Sequence, residues 1–305
     1  MPVIIPSALP AKEILEKENI FVMADRRARS QEIRPLSIGI LNLMPNKEET
    51  ELELLRLISN TPLQVEITLL QTATYRATHT PEEHLRSFYM TFDEAVKSGR
   101  KFDGMIFTGA PVEQMKFEEV QYWDEIMRIM NWAQHNVFSS LYICWGAIAA
   151  MYYFYGVDKV PLDKKISGVY LHRSMKRSNP LVRNFDEYFY APHSRHTEVD
   201  QEKMRALADI DILAESDEAG IYLAASKDRR RVFVFGHGEY DKYTLDSEYR
   251  RDMKLGRKDV EMPVNYYDEN GNPKLTWRAH SSLLMSNWLN YYVYQETPYD
   301  INTIG

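Results

Sequence analysis

Residues 141–150 read LYICWGAIAA: an apolar run, then the only cysteine of the chain, then a Gly-Ala-rich segment that begins like a helix. A strand passing into a helix through a turn of small residues has the layout of a nucleophile elbow, where the turn exposes one side chain and small neighbours avoid a clash. Free N–H groups at the helix start would favour a thiolate at Cys144. Free cysteine is also among the most buried residue types, so from this stretch alone an inert, packed Cys144 is an equally good reading. The decision needs a base elsewhere in the chain.

Working back from Cys144, short apolar runs alternate with helical periodicity. SIGILNLM (37–44) reads as a strand and ELELLRLI (51–58) as a helix; LQVEITLL (63–70) is the next strand. A helix is predicted from about Pro81, with Thr80 and Glu83 at capping-box spacing, before the strand FDGMIFTG (102–109). A further helix over 117–135 leads into the strand that ends at Cys144. Four strands separated by helices predict an α/β fold, a doubly wound, mostly parallel sheet with its ligand site beyond the carboxyl ends of the strands.

Working forward, the pattern becomes strand-rich: GVYLH (168–172), YFYA (188–191), DILA (211–214), GIYLAA (220–225) and RVFVF (231–235), several of them antiparallel additions. A C-terminal helix over 277–295 carries Trp277, Leu284, Trp288 and Tyr292 at helical spacing and should pack on the sheet. The charged segments 25–34 and 246–259 read as solvated surface. With no repeat or linker in evidence, the simplest partition is an N-terminal arm (1–35), one domain (36–298) and a short tail (299–305).

Composition narrows the class. A chain of 305 residues, 44% hydrophobic and 27% charged, can bury a large core, and one cysteine excludes an internal disulfide framework. The first twenty residues interrupt their apolar stretches with acids and prolines, unlike a signal peptide, which reads as cytoplasmic. No run approaches the ~18 apolar residues of a membrane span. A net charge of −7 offers no general attraction for nucleic acid.

The base is found downstream. After the strand 231–235 comes GHGEY (236–240), which puts His237 in a sheet-end loop and Glu239 two residues on, where a carboxylate can orient an imidazole. His-x-Glu alone is a weak signal. Joined to an elbow cysteine at another strand end, it resembles the Cys-His-Glu triad of the class I glutamine amidotransferase-like, flavodoxin-like fold.

The resemblance extends nearly end to end to the homoserine O-acyltransferases of methionine biosynthesis. It is carried by NLMPNKEET (42–50), TGAPVE (108–113), ICWGA (143–147), APHSRHTE (191–198), GHGEY (236–240) and SNWLNYYVYQETP (286–298). It implies an acyl-thioester on Cys144, His237 as general base, Glu239 as orienting acid, and substrate contacts from Lys165, Ser194 and Arg251. Each of those three otherwise reads as a surface residue: Lys165 in a loop, Ser194 in a turn after a strand, Arg251 in a charged helix.

At position 113 the family carries glutamate with acetyl-CoA and glycine with succinyl-CoA, so Glu113 implies acetyl-CoA as donor and L-homoserine as acceptor. The elbow chemistry puts the N–H of Trp145 in an oxyanion role, and Lys47, in another sheet-end loop, would add positive potential. The resemblance implies no metal, no permanently bound cofactor, and a homodimer. The alternatives are succinyl-CoA as donor, a glutamine-hydrolysing amidotransferase, or a noncatalytic flavodoxin-like module in which Cys144 and His237 merely pack.

Overall fold

The apolar runs around Cys144 form strands buried on both faces. The computed structural model describes residues 3–18, 20, 22–24, 34–75 and 79–304. The first part of the chain contains β1 (Val3–Ile5), α1 (Ala11–Lys17), β2 (Val22–Ala24), β3 (Leu36–Leu41), α2 (Lys47–Ile58) and β4 (Val65–Gln71). Next come α3 (Glu82–Phe88), β5 (Tyr89–Thr91), α4 (Phe92–Lys97), β6 (Phe102–Phe107), α5 (Trp123–Asn136), β7 (Val137–Ile143) and α6 (Trp145–Tyr155). The last part holds β8 (Lys159–Ser174), β9 (Tyr188–Val199), α7 (Gln201–Arg205), β10 (Ile210–Ser216), β11 (Gly220–Ser226), β12 (Arg231–Val234), α8 (Thr244–Lys254) and α9 (Arg278–Asn287).

The described strands form one sheet in the order β2-β1-β4-β3-β6-β7-β12-β11-β10-β8-β9, with β5 beside β4. From β2 to β12 all pairings are parallel, and from β12 to β9 all are antiparallel. Side chains alternate between two cores. Ile38, Ile40, Ile106 and Leu141 pack with α1, α2 and α9, while Leu41, Phe107, Tyr142 and Phe233 pack with α4, α5 and α6. This is the doubly wound arrangement expected. The chain runs from β3 outward to β4 but returns to the other side of β3 for β6, so a crevice opens at their carboxyl ends.

Several local expectations are corrected. Thr80 and Glu83 form no capping box: the residue before α3 is Pro81, and the Thr80 hydroxyl instead accepts from Lys47 N–H and donates to the Pro45 carbonyl, both at 3.0 Å. The capping box lies at Thr91 and Glu94, at the start of α4. The 117–135 helix divides into a 3-10 turn, Phe117–Glu119, and α5. The C-terminal helix changes after α9 into a π-helix, Trp288–Tyr294, and Trp277, Leu284, Trp288 and Tyr292 are all buried. Trp288 bonds Ser139 of β7 at 3.0 Å, which fixes this helix on the sheet.

The strands predicted at 168–172 and 188–191 extend into the long hairpin β8–β9, so Lys165 and Ser194 are strand residues rather than loop and turn. The segment 246–259 is not simply solvated, because Asp252 is buried. Of the charged stretch 25–34, residues 25–33 lie outside the described residues, while Arg34 makes a bidentate pair with buried Asp103 at 2.9 and 3.0 Å. At the amino end, Val3 pairs with Val65 of β4, adding β1 to this sheet. Among the described residues, no helix is long and apolar enough to cross a membrane.

Candidate active site

Four neighbouring strand ends converge on one cavity of about 330 Å³: Met44 and Pro45 follow β3, the loop from Gly109 to Met115 follows β6, Cys144 follows β7 and His237 follows β12. Its far wall comes from β8, β9 and α8 through Lys165, Ser194, Glu248 and Arg251.

Cys144 is the residue before α6 and has φ 49° and ψ −114°, a left-handed-side conformation that costs a non-glycine residue of order 1–3 kcal/mol. Its N–H donates to Val234 O at 2.7 Å, tying the elbow to β12. The turn requires Gly146, since a Cβ there would stand 2.7 Å from Thr108 O and 3.0 Å from Phe107 O. Gly146→Ala is therefore expected to destabilise the protein by about 1–3 kcal/mol in chemical denaturation, because backbone carbonyls cannot move aside as a flexible side chain would. Gly109 faces the nucleophile: its missing Cβ would lie 3.5 Å from Cys144 Cβ and 3.7 Å from His237 Cε1.

His237 Nδ1 bonds Glu239 Oε1 at 2.7 Å, and both residues are buried. With Nδ1 on Glu239, Nε2 is the ring nitrogen left for Cys144. The imidazole stacks on Tyr240 with centroids 4.1 Å apart, and His237 N–H donates to Pro192 O at 2.9 Å. Burial disfavours the imidazolium, but the charges of Cys144 and Glu239 outweigh it and hold His237 well above the usual histidine range.

The opposite wall is a mesh of charges. Lys165 Nζ donates to Asp252 Oδ2 at 2.8 Å and lies 3.7 Å from Glu248 Oε2. Glu248 also accepts from the Ser194 hydroxyl, and from Tyr240 OH at 2.9 Å. Arg251 bonds Asp252 Oδ1 through Nε and Nη2 at 3.1 and 3.0 Å, with its side chain 60% exposed. Burial raises the Asp252 carboxyl's proton affinity, but the Lys165 hydrogen bond and the neighbouring cations bring it below the usual range.

Glu113 also lines the cavity, bonded through both oxygens to His196. Burial works against its charge, yet the hydrogen bonds from His196 keep the carboxyl below its ordinary range.

The structure thus brings Cys144, His237, Glu239, Lys165, Ser194, Arg251 and Glu113 to one site, but not Lys47. That side chain is buried with its ammonium on the Asn42 carbonyl and 5.5 Å from the Tyr89 ring, and burial lowers it to about 8. Sequence reading missed Glu248 and Asp252. From Glu248 on α8, Arg251 and Asp252 follow at spacings of three and four, a signal available in the charged segment. It also missed Glu53, a buried acid on α2 that accepts from Asp241 N–H at 2.9 Å and Thr244 Oγ1 at 2.6 Å. Burial and the Glu239 charge push Glu53 up to about 8. Among the described residues, no group of three or more His, Cys, Asp or Glu is placed to hold a metal ion.

A family model described as homoserine O-succinyltransferase matches residues 2–299. The chain belongs to the homoserine O-succinyltransferase family. Within that family it is 56% identical over 307 residues to a homoserine O-acetyltransferase of Acetivibrio thermocellus, covering 100% of both chains. A homoserine O-acetyltransferase of Agathobacter rectalis is 56% identical over 303 residues, covering 98% of this chain and 97% of the relative. Among solved structures, a glutamine amidotransferase from Thermotoga maritima superposes with a TM-score of 0.56 at 11% identity, covering 85% of this chain and 99% of that one. One from Methylobacillus flagellatus gives 0.51 at 8% identity, covering 85% and 95%. At those identities the likeness is one of fold, the class I amidotransferase-like fold, on which the homoserine O-succinyltransferase family builds an acyltransferase.

Proposed function

We propose that this chain moves an acetyl group from acetyl-CoA to the hydroxyl of L-homoserine by double displacement through Cys144, giving O-acetyl-L-homoserine. The observation that carries this reading is the opening of a buried Cys144–His237–Glu239 array into the same cavity as Lys165, Glu248 and Arg251. In the first half-reaction the Cys144 thiolate attacks the thioester carbonyl, the tetrahedral intermediate collapses, and CoA leaves with a proton from His237. The oxyanion falls to the N–H of Trp145, free at the start of α6, and to the Gly109–Ala110 loop facing Cys144.

In the second half-reaction His237 Nε2 takes the homoserine hydroxyl proton, the oxygen attacks the acetyl-cysteine, and Cys144 leaves as thiolate. Glu239 holds the imidazole and stabilises its charged form. Homoserine offers a carboxylate suited to the exposed guanidinium of Arg251, and an ammonium suited to Glu248, with Lys165 and Ser194 orienting both charges. Acetyl-CoA enters as co-substrate and no cofactor is retained. Initial rates with both substrates varied test the scheme: parallel double-reciprocal lines support it, and intersecting lines oppose it.

Glu113 carries the donor choice. A succinyl carboxylate brought ~4 Å from Glu113 at an effective dielectric of ~20 is repelled by about 4 kcal/mol. Glu113→Gly is therefore expected to raise kcat/KM for succinyl-CoA relative to acetyl-CoA by about 10–100-fold, allowing for partial screening. An unchanged ratio would assign donor choice to other residues.

A further inference from the structure

The Glu113 carboxylate is a held group, not a free one. Its Oε2 accepts from the backbone N–H of His196 at 2.9 Å, with the Thr197 hydroxyl at 3.5 Å, and its Oε1 meets the His196 Nδ1 at 2.8 Å. A carboxylate oxygen on Nδ1 requires the proton on Nδ1, so the ring donates to Glu113. On the ring's other side, Nε2 lies 3.5 Å from Asp259, which Arg257 grips at 3.1 and 2.8 Å. His196 therefore has little freedom to turn away.

Beyond this pair lies a second cavity of about 470 Å³. It shares Glu113, Gln114 and His196 with the catalytic cavity, and its other walls include Phe117, Tyr152, Leu162 and Lys159. Lys159 reaches back to the pair, donating from Nζ to the Glu113 carbonyl at 2.7 Å, and its ammonium sits 4.4 Å from the centre of the Phe117 ring. The space on the far side is thus part aromatic and part charged, with Lys159 and Lys116 set among the acids Glu118 and Asp158.

We propose that His196 is a positioning residue for donor choice: it fixes the Glu113 carboxylate as a partition between the two cavities, and the partition sets the length and charge of the acyl group accepted. This rests on the reading of Glu113 above. A two-carbon acyl group on Cys144 stops short of the partition. A longer, acid-ended acyl group meets a negative charge that cannot move aside. Once the His196 ring no longer holds Oε1, the carboxylate can swing about its remaining bond to the backbone N–H, and such a chain gains the second cavity, where Lys159 faces its carboxylate.

The test is kcat and KM for acetyl-CoA and for succinyl-CoA, with homoserine saturating, in the full-length wild type and in His196→Asn, His196→Ala and His196→Gln, with melting temperatures alongside. Asparagine places an amide N–H where Nδ1 stands and keeps the bond; alanine loses it, and glutamine carries its amide toward Asp259 instead. The wild type and His196→Asn should share one acetyl preference within about threefold, while His196→Ala and His196→Gln lower it about tenfold or more, mainly through a fall in the KM for succinyl-CoA. Should the alanine variant fail to fold, the asparagine and glutamine pair makes the same comparison. A wild-type preference for acetyl-CoA that stays unchanged in the alanine and glutamine variants, or that is lost equally in the asparagine variant, would overturn this inference alone. A wild-type preference for succinyl-CoA would overturn the donor reading and take this inference with it.

Discussion

Cys144→Ala is expected to lower homoserine acetylation by about 10⁴-fold or more, because it removes the only atom on which the acetyl group can rest between the two half-reactions. The variant should fold. Alanine occupies the strained elbow no less easily than cysteine, the lost sulfur is one atom, and Gly146 still supplies the close turn against Thr108 and Phe107. Binding of homoserine should survive, since Lys165, Glu248, Arg251 and Asp252 are bonded to one another and not to the sulfur. Steady-state kinetics, with calorimetric titration of homoserine into the variant, separate the two effects. Turnover that persisted at wild-type rates would rule out the covalent path.

His237→Asn is expected to cost about 10³–10⁴-fold in kcat, with KM for homoserine little changed. Asparagine can still donate to Glu239 from its amide, so the loop and its neighbour Glu53 remain supported, but no group is left to take the hydroxyl proton. The loss should shrink as pH rises, because an acceptor ionised without help needs no base. The wild type should show no such recovery. A variant whose rate fell only a few-fold would move the base role to another residue.

The parallel half of the sheet was legible because strands buried on both faces are built mostly from apolar side chains. IGIL, GMIF and VFVF are continuous apolar runs for that reason. The triad was legible because each member stands at the end of such a run, in a local motif. The opposite wall was not. Lys165 and Ser194 lie in a hairpin among charged and polar neighbours, Asp163, Lys164, His193 and Arg195, and their own partners are far away in sequence: Asp252 is 87 residues from Lys165, and Glu248 is 54 from Ser194.

A charge run such as 246–259 reads as surface until those partners are known, since a buried acid survives only when paired. Thr80 misled for a similar reason: its hydroxyl serves Lys47 and Pro45, so none is left for a cap. Lys47 opens α2 instead of lying in a sheet-end loop, and its side chain turns inward to Asn42 and Tyr89, a choice that strand periodicity cannot reveal.

The most direct test of covalent transfer from acetyl-CoA is the intact mass of the full-length protein after brief mixing with acetyl-CoA, and separately with succinyl-CoA, before and after homoserine is added. The account predicts a single acetyl adduct, absent in Cys144→Ala, that homoserine discharges, and little or no succinyl adduct. A protein that turns over acetyl-CoA and homoserine while never carrying an acetyl group on Cys144 would contradict it.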